Sequence, residues 1–272
     1  MNNKIKLVAD SGSTKTDWAI GDFRFKTQGI NPFHQDDESI LSILTDELLP
    51  QVAAFQIDEI CFYGSGVRPE LEGKMMKALK KVFPHATSVE AHNDLLGAAR
   101  ALCGDKEGIA CILGTGSNSC IYDGRSIVSN TPALGYILGD EGSGAVLGKR
   151  FLNALYKSRL PESIKRDFEH AQKMTMADVV SRVYKQPLPN RWLASLSKFI
   201  YQCQNEKSVH TLIVENFVDF FRLNINPYQR HDLPVSAVGS IAFYFQSQLQ
   251  EAANNEGYTI HKILRSPIEG LV

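Results

Sequence analysis

Two stretches of this chain share one plan, and that repetition constrains the fold more tightly than any other feature. Val8-Ala9-Asp10-Ser11-Gly12-Ser13-Thr14-Lys15-Thr16-Asp17-Trp18-Ala19-Ile20 passes from an apolar strand, through a turn of glycine and hydroxyl residues, into a second strand. Ile112-Leu113-Gly114-Thr115-Gly116-Ser117-Asn118-Ser119-Cys120-Ile121-Tyr122 does the same. Overlaid, Asp10 falls on Gly114, Gly12 on Gly116 and Ser13 on Ser117, so the chain reads as two halves built on one theme. Glycine can turn with positive φ and lets a ligand approach the backbone, while free N–H groups and hydroxyls supply donors for phosphate oxygens. Two such turns facing each other could grip a polyphosphate from both sides. Lys15-Thr16 is not a P-loop, because the first glycine of that motif is missing and a strand follows instead of a helix.

The 272 residues suit one large or two ordinary domains, and 43% hydrophobic content is enough for a sizeable core. With 29 basic and 30 acidic residues and no Lys/Arg run, nucleic acid is not expected as a partner. The apolar run Ile5 to Ala9 is too short for a signal sequence, and nowhere do about 18 apolar residues run together. The expectation is a cytoplasmic protein with no membrane partner. The five cysteines (Cys61, Cys103, Cys111, Cys120, Cys203) lack any C-x-x-C pairing, and the seven histidines show no H-E-x-x-H spacing. A disulfide scaffold, a zinc ribbon and a zinc hydrolase are therefore unsupported.

In chain order, Ile5 to Ala9, Thr16 to Ile20 and Phe23 to Thr27 read as strands. Gly29 to His34 is a loop in which Pro32 pushes Asn31 toward an extended conformation, and Asn31 either faces a ligand or satisfies the turn. Asp36 or Asp37 caps the next helix. Ile57 to Tyr63 is a strand ending in Gly64-Ser65-Gly66, a ligand position or a plain turn. Pro69 opens a helix to Phe83, with Met75, Met76, Leu79 and Val82 inward. A strand at Thr87 to Ala91 runs into Asn93-Asp94 at a helix start. Asp94 is either the helix cap or, at a strand's carboxyl end beside a phosphate turn, a general base for a substrate hydroxyl.

The polar stretch Gly104 to Gly108 marks a boundary, giving domains 1–105 and 106–272. After the second hairpin, Asp140-Glu141 stands between glycines before a helix from about Ala145 to Tyr156. Either acid binds sugar hydroxyls or metal, or both cap that helix. Residues 161–228 read as a helical insertion with helices at Ile164 to Gln172, Met176 to Tyr184, Trp192 to Gln204 and Thr211 to Leu223. Phe217, Phe220 and Phe221 read as core. Val235 to Ala242 gives a strand, a glycine turn and a helix, with room at the glycine for a flat ring against the backbone, and Tyr258 to Leu264 is a last strand.

The ordered set Asp10 to Asp17, Asn93-Asp94, Gly114 to Asn118 and Val238-Gly239-Ser240 resembles the actin/hexokinase/Hsp70 ATPase superfamily. Within it the chain resembles the BadF/BadG/BcrA/BcrD ATPase family, and most of all its N-acetylglucosamine kinase members, for which Gly139 to Ser143 is also typical. The resemblance covers almost the whole chain. It implies an α/β fold of two ribonuclease-H-like domains closing on an interdomain cleft, with the helical insertion in the second. It implies ATP bound by Gly12, Ser13, Thr14 and Lys15, by Gly114, Thr115, Gly116, Ser117 and Asn118, and by Gly239 and Ser240. Asp10 is implied to hold Mg²⁺ through water, Asp94 to be the catalytic base, and Asn31, Ser65, Gly66, Asp94, Asp140 and Glu141 to hold an amino sugar. A homodimer is left open. The superfamily usually returns a C-terminal helix to its first domain, whereas only a few residues follow Pro267 here. Two further classes stay open: an ATPase that activates a radical dehydratase or aryl-CoA reductase, which would need cysteines for an iron–sulfur cluster, and a nucleotide-dependent sensor without turnover.

Overall fold

The computed structural model describes residues 4–12 and 14–272. The chain forms two compact units, one ending at Gly104 and taking back Ser266–Val272, the other formed by Asp105–Arg265. The tail expected in the second domain therefore belongs to the first, and the reason is hydrophobic: Ile268 is buried with Val8, Ala19, Cys61 and Tyr63, and Leu271 packs against them.

In the first unit the strands are β1 (Lys6–Ser11), β2 (Lys15–Ile20), β3 (Phe23–Gln28), β4 (Glu59–Gly64) and β5 (Ser88–Asn93). They form one sheet in the order β3-β2-β1-β4-β5. β1 runs antiparallel to β2 and parallel to β4, which in turn is parallel to β5. The helices are α1 (Asp37–Ser42), α2 (Leu49–Val52), α3 (Pro69–Val82) and α4 (Asp94–Cys103). Asp36 caps α1 by accepting from Ser39 N at 2.8 Å. On the core side Trp18, Ile60 and Phe62 are fully buried with Ile40, Met75 and Leu79 from the helices, and the Trp18 indole donates to Thr27 Oγ1 at 3.0 Å, as a buried indole must.

The second unit repeats the topology. β6 (Glu107–Leu113), β7 (Ser117–Asp123), β8 (Ile127–Thr131), β9 (Val235–Val238) and β10 (Ile260–Leu264) lie in the order β10-β9-β6-β7-β8, with the same mixture of antiparallel hairpins and parallel neighbours. The fold is two α/β units of actin-like, ribonuclease-H-like topology.

The strand pairing revises the overlay read from the sequence. Ser11 pairs with Thr16, and Leu113 with Ser117, so the first residue leaving each hairpin is Gly12 in one unit and Gly114 in the other. The two turns differ in length by one residue, and matching glycines by eye slid them past each other.

Between β8 and β9 lie α5 (Gly135–Leu138), α6 (Gly144–Tyr156), α7 (Glu162–Gln172), α8 (Met176–Lys185), α9 (Pro189–Ser195), α10 (Ser197–Gln202) and α11 (Lys207–Phe220). α12 (Ser240–Tyr244) and α13 (Gln246–Asn255) follow β9, and α14 (Ile268–Leu271) ends the chain. The helix expected over Trp192 to Gln204 breaks at Leu196 into two. Phe217, Phe220 and Phe221 are fully buried in the core of this unit. α6 packs closely on α9 because Gly148 carries no side chain; a Cβ there would lie 2.2 Å from the Leu193 carbonyl oxygen. Among the described residues no helix is long and apolar enough to cross a membrane.

Candidate functional site

In an open sheet, ligands gather where parallel strands end, and in the first unit β1, β4 and β5 end together. Ser11 is aligned with Gly64, and Gly64 with Asn93, so the first turn, Ser65-Gly66 and Asp94 leave the sheet side by side. Gly12 N donates to Lys15 O at 3.0 Å to close the turn. Ser65 N donates to Ser11 O at 2.9 Å. Ser13, expected to bind phosphate, lies outside the described residues. Thr14 and Lys15 are exposed, and the Lys15 ammonium pairs with Asp17.

Asp94 does not cap α4. The cap is Asn93, whose side-chain oxygen accepts from Leu96 N at 2.8 Å; Asp94 is the first helical residue, with its carboxylate spared from that duty. Its carboxyl is pushed above the ordinary carboxylate range by burial, against the opposing pull of the backbone N–H groups of Leu95 and Asp94 itself. Nearby, Asp10 is pushed up to about 7, first by burial and then by the charges of Asp94 and Asp17, with Lys15 opposing. Burial and the neighbouring charge disfavour the ionised forms of Asp10 and Asp94, a cost that a nearby divalent cation would offset. Among the described residues no three His, Cys, Asp or Glu side chains converge as metal ligands. Carboxylate oxygens are the hard donors that Mg²⁺ takes in ones and twos beside phosphate oxygens, and Asp10 is the buried carboxyl that Asp94 and Asp17 act upon.

Asn31 serves its turn and keeps something over. Its side-chain oxygen accepts from Phe33 N at 3.0 Å, and its backbone N–H donates to Gln35 Oε1 at 2.7 Å, so neither bond uses the amide NH₂. Gly66, at φ 83°, makes room for that amide, since a Cβ there would lie 2.2 Å from Asn31 Oδ1. Ser65 Oγ is buried with no hydrogen-bond partner among the described residues. A buried unpaired hydroxyl costs roughly 1–3 kcal/mol, so Ser65 Oγ has hydrogen-bonding capacity that no described residue uses.

In the second unit the equivalent edge joins the ends of β6 and β9. Gly239, at φ 122°, presses so closely on the second turn that a Cβ would lie 2.3 Å from Leu113 O and 3.4 Å from Gly114 N. Gly239 and the second turn, far apart in sequence, are thus in backbone contact. Gly114 N donates to Gly116 O at 2.9 Å, and the Gly114 and Thr115 carbonyls accept from Gly144 N and Ala145 N of α6. Thr115 and Ser240 are exposed. Ser117 Oγ is, like Ser65 Oγ, buried with no partner among the described residues. The Asn118 side-chain oxygen accepts from Asn130 Nδ2 at 2.9 Å, which draws it toward the neighbouring strand.

Neither acid of Asp140-Glu141 caps α6; Ser143 does, accepting from Val146 N at 3.2 Å. Asp140 instead turns its carboxylate onto the second turn, where it would lie 2.9 Å from a Cβ on Gly116 and accepts a hydrogen bond from the Ser117 backbone. Burial first, and Glu141 after it, push Asp140 up to about 6. Glu141 accepts from Asn224 Nδ2 at 3.1 Å. Asn224 belongs to the helical insertion, and no local motif pointed to it. Ser11 and Thr16 were also missed; the only signal was two hydroxyl residues placed symmetrically about the first turn.

Neither a protein-family model nor a curated protein matches the chain. Solved structures do. A proposed N-acetylglucosamine kinase from Porphyromonas gingivalis is 47% identical, with a TM-score of 0.94 over 98% of this chain and 97% of that one. A second proposed N-acetylglucosamine kinase, from Chromobacterium violaceum, is 17% identical with a TM-score of 0.71 over 98% of this chain and 97% of the other. A glucokinase from Streptomyces griseus, solved with glucose and AMPPNP, is 12% identical with a TM-score of 0.59, over 98% and 96% of the two chains. The last two share the fold.

Proposed function

Because this chain belongs to the same family as the Porphyromonas gingivalis protein, within the actin-like ATPase superfamily, we propose that it is a sugar kinase, transferring the γ-phosphoryl group of ATP to the 6-hydroxyl of N-acetylglucosamine or a related amino sugar. The observation that carries the proposal is Asp94: a carboxylate at the end of the parallel strands, relieved of capping by Asn93 and raised by burial toward the range where a base can accept a proton.

Phosphoryl transfer asks a protein to align an alcohol with the γ-phosphorus and to steady the spreading negative charge. In this account Asp94 takes the proton from the sugar hydroxyl, the freed oxygen bonds to the γ-phosphorus, and the bond to the bridging oxygen breaks to release ADP. The Asn31 NH₂ and Ser65 Oγ hold the sugar, together with Asp140 and Glu141. The turns at Gly12–Lys15 and Gly114–Asn118 offer N–H and hydroxyl donors to the phosphates, and Gly239-Ser240 lies by the adenosine. Mg²⁺, when bound beside Asp10, supplies neutralising charge to the phosphates.

ADP release measured with ATP and Mg²⁺ against a panel of sugars tests the proposal. Turnover should depend on sugar and fall in the order N-acetylglucosamine, N-acetylmuramate, glucosamine, glucose. ADP release indifferent to sugar would make the protein an ATPase, and no release with any acceptor would make it a nucleotide-dependent sensor; either result overturns the kinase assignment.

A further inference from the structure

Ser11 and Thr16 bracket the first phosphate turn and are both wholly buried, paired across the hairpin where β1 becomes β2. Their hydroxyls lie 2.7 Å apart. Ser11 Oγ accepts from Ile30 N at 3.0 Å and lies 2.9 Å from Ile30 O. Thr16 Oγ1 lies 3.1 Å from Gln28 O and 3.3 Å from Ile30 N. The backbone adds two ties, Gly29 N to Thr14 O at 3.2 Å and Ser65 N to Ser11 O at 2.9 Å.

Ile30 is fully buried and immediately precedes Asn31. Ser11 is thus fixed to both segments that present sugar-facing groups, through its side chain to the loop of Asn31 and through its carbonyl to Ser65, while its next neighbour, Gly12, opens the phosphate turn. Two hydroxyl hydrogens must serve the Ile30 and Gln28 carbonyls and the contact between the hydroxyls themselves, so the set has more acceptors than hydrogens. A small movement of the turn can therefore exchange one hydrogen-bonded arrangement for another, and the bonds to Ile30 and Gly29 carry that movement toward the loop of Asn31.

Resting on the sugar-kinase reading above, we propose that Ser11 and Thr16 are positioning residues that couple nucleotide occupancy of the first turn to the sugar-holding geometry of Asn31 and Ser65. Neither touches substrate. Their effect is a coupling between two sites, which is reciprocal and measurable as a ratio of dissociation constants.

The test is calorimetric titration of N-acetylglucosamine into the full chain, without and with saturating AMPPNP and Mg²⁺, alongside sugar-dependent ADP release from the same preparation. In the unmodified protein AMPPNP should tighten sugar binding by about five-fold or more, the lower end of common coupling. Ser11→Ala and Thr16→Val should bring the ratio to within about two-fold of unity, with KM for sugar rising more than kcat falls, and Thr16→Ser, which keeps the hydroxyl, should restore it. A merely structural role would lower the melting temperature and leave the ratio alone. Variants that keep the unmodified ratio overturn the proposal, as does an unmodified protein that turns over sugar but shows no coupling, a result that leaves the kinase assignment intact. An unmodified protein with no sugar-dependent ADP release overturns both. Thr16→Val nearly preserves shape and decides the matter should Ser11→Ala fail to fold.

Discussion

Asp94→Asn is expected to lower kcat by roughly a hundred- to ten-thousand-fold, the usual worth of a positioned general base, while leaving sugar and nucleotide binding close to normal. The same substitution should not unfold the protein. Asn93, not Asp94, caps α4, so no cap is lost. Burial raises the Asp94 carboxyl above its unfolded value, so its ionised form is disfavoured in the folded state. The stability it contributes is greatest at acid pH and is lost as pH rises from the unfolded pKa through the folded one. At neutral pH an uncharged amide removes that cost, and thermal unfolding should show the variant as stable as the parent or more so. The parent's kcat/KM should fall as pH is lowered, with an apparent pKa above the usual carboxylate range. Near-normal kcat, or a destabilised variant with unchanged kinetics, would return Asp94 to a structural role.

The second large effect is expected at Gly239. Its backbone, φ 122° and ψ 162°, lies in territory essentially reserved for glycine and costs another residue about 1–3 kcal/mol. Added to that is an overlap with backbone, which cannot rotate away: the new Cβ would lie 2.3 Å from Leu113 O and 2.8 Å from Leu113 C. Gly239→Ala should therefore force β9 away from the turn at Gly114. The expected outcome is a lowered melting temperature, by roughly 2–4 °C for each kcal/mol in a protein of this size, with affinity for ADP reduced more than ten-fold, about 1.4 kcal/mol. Gly73→Ala is the control. It is exposed in the interior of α3 with open space around it, and the better helix propensity of alanine should raise stability by up to about 1 kcal/mol. A Gly239→Ala protein that melts and binds ADP like the parent would contradict the packing of these two motifs.

Much of this architecture was legible in the sequence, because strands and turns are written locally. The alternation in Thr16 to Ile20, the Pro69 helix start and the hydroxyl-glycine hairpins each carry their own signal within a few residues, and the duplicated hairpin implied the duplicated sheet. What escaped reading was non-local or a matter of one residue. Whether Asn93 or Asp94 caps α4 depends on which backbone is still extended, and Asn93 is, at ψ 157°. The pairing of Glu141 with Asn224 spans 83 positions and left no local trace. The helix at Trp192 to Gln204 was expected unbroken because its apolar spacing continues past Leu196, where the chain turns. The return of Ile268 and Leu271 to the first unit is a decision of packing; the resemblance pointed to such a helix, and the few residues after Pro267 held only the single turn that supplies it.

The most direct measurement of the central claim follows a labelled γ-phosphoryl group from ATP in the presence of N-acetylglucosamine and Mg²⁺. The account predicts label in a sugar phosphate in amount equal to the ADP formed, with Asp94→Asn losing transfer while still binding the sugar. Label recovered as inorganic phosphate whether or not sugar is present would contradict it.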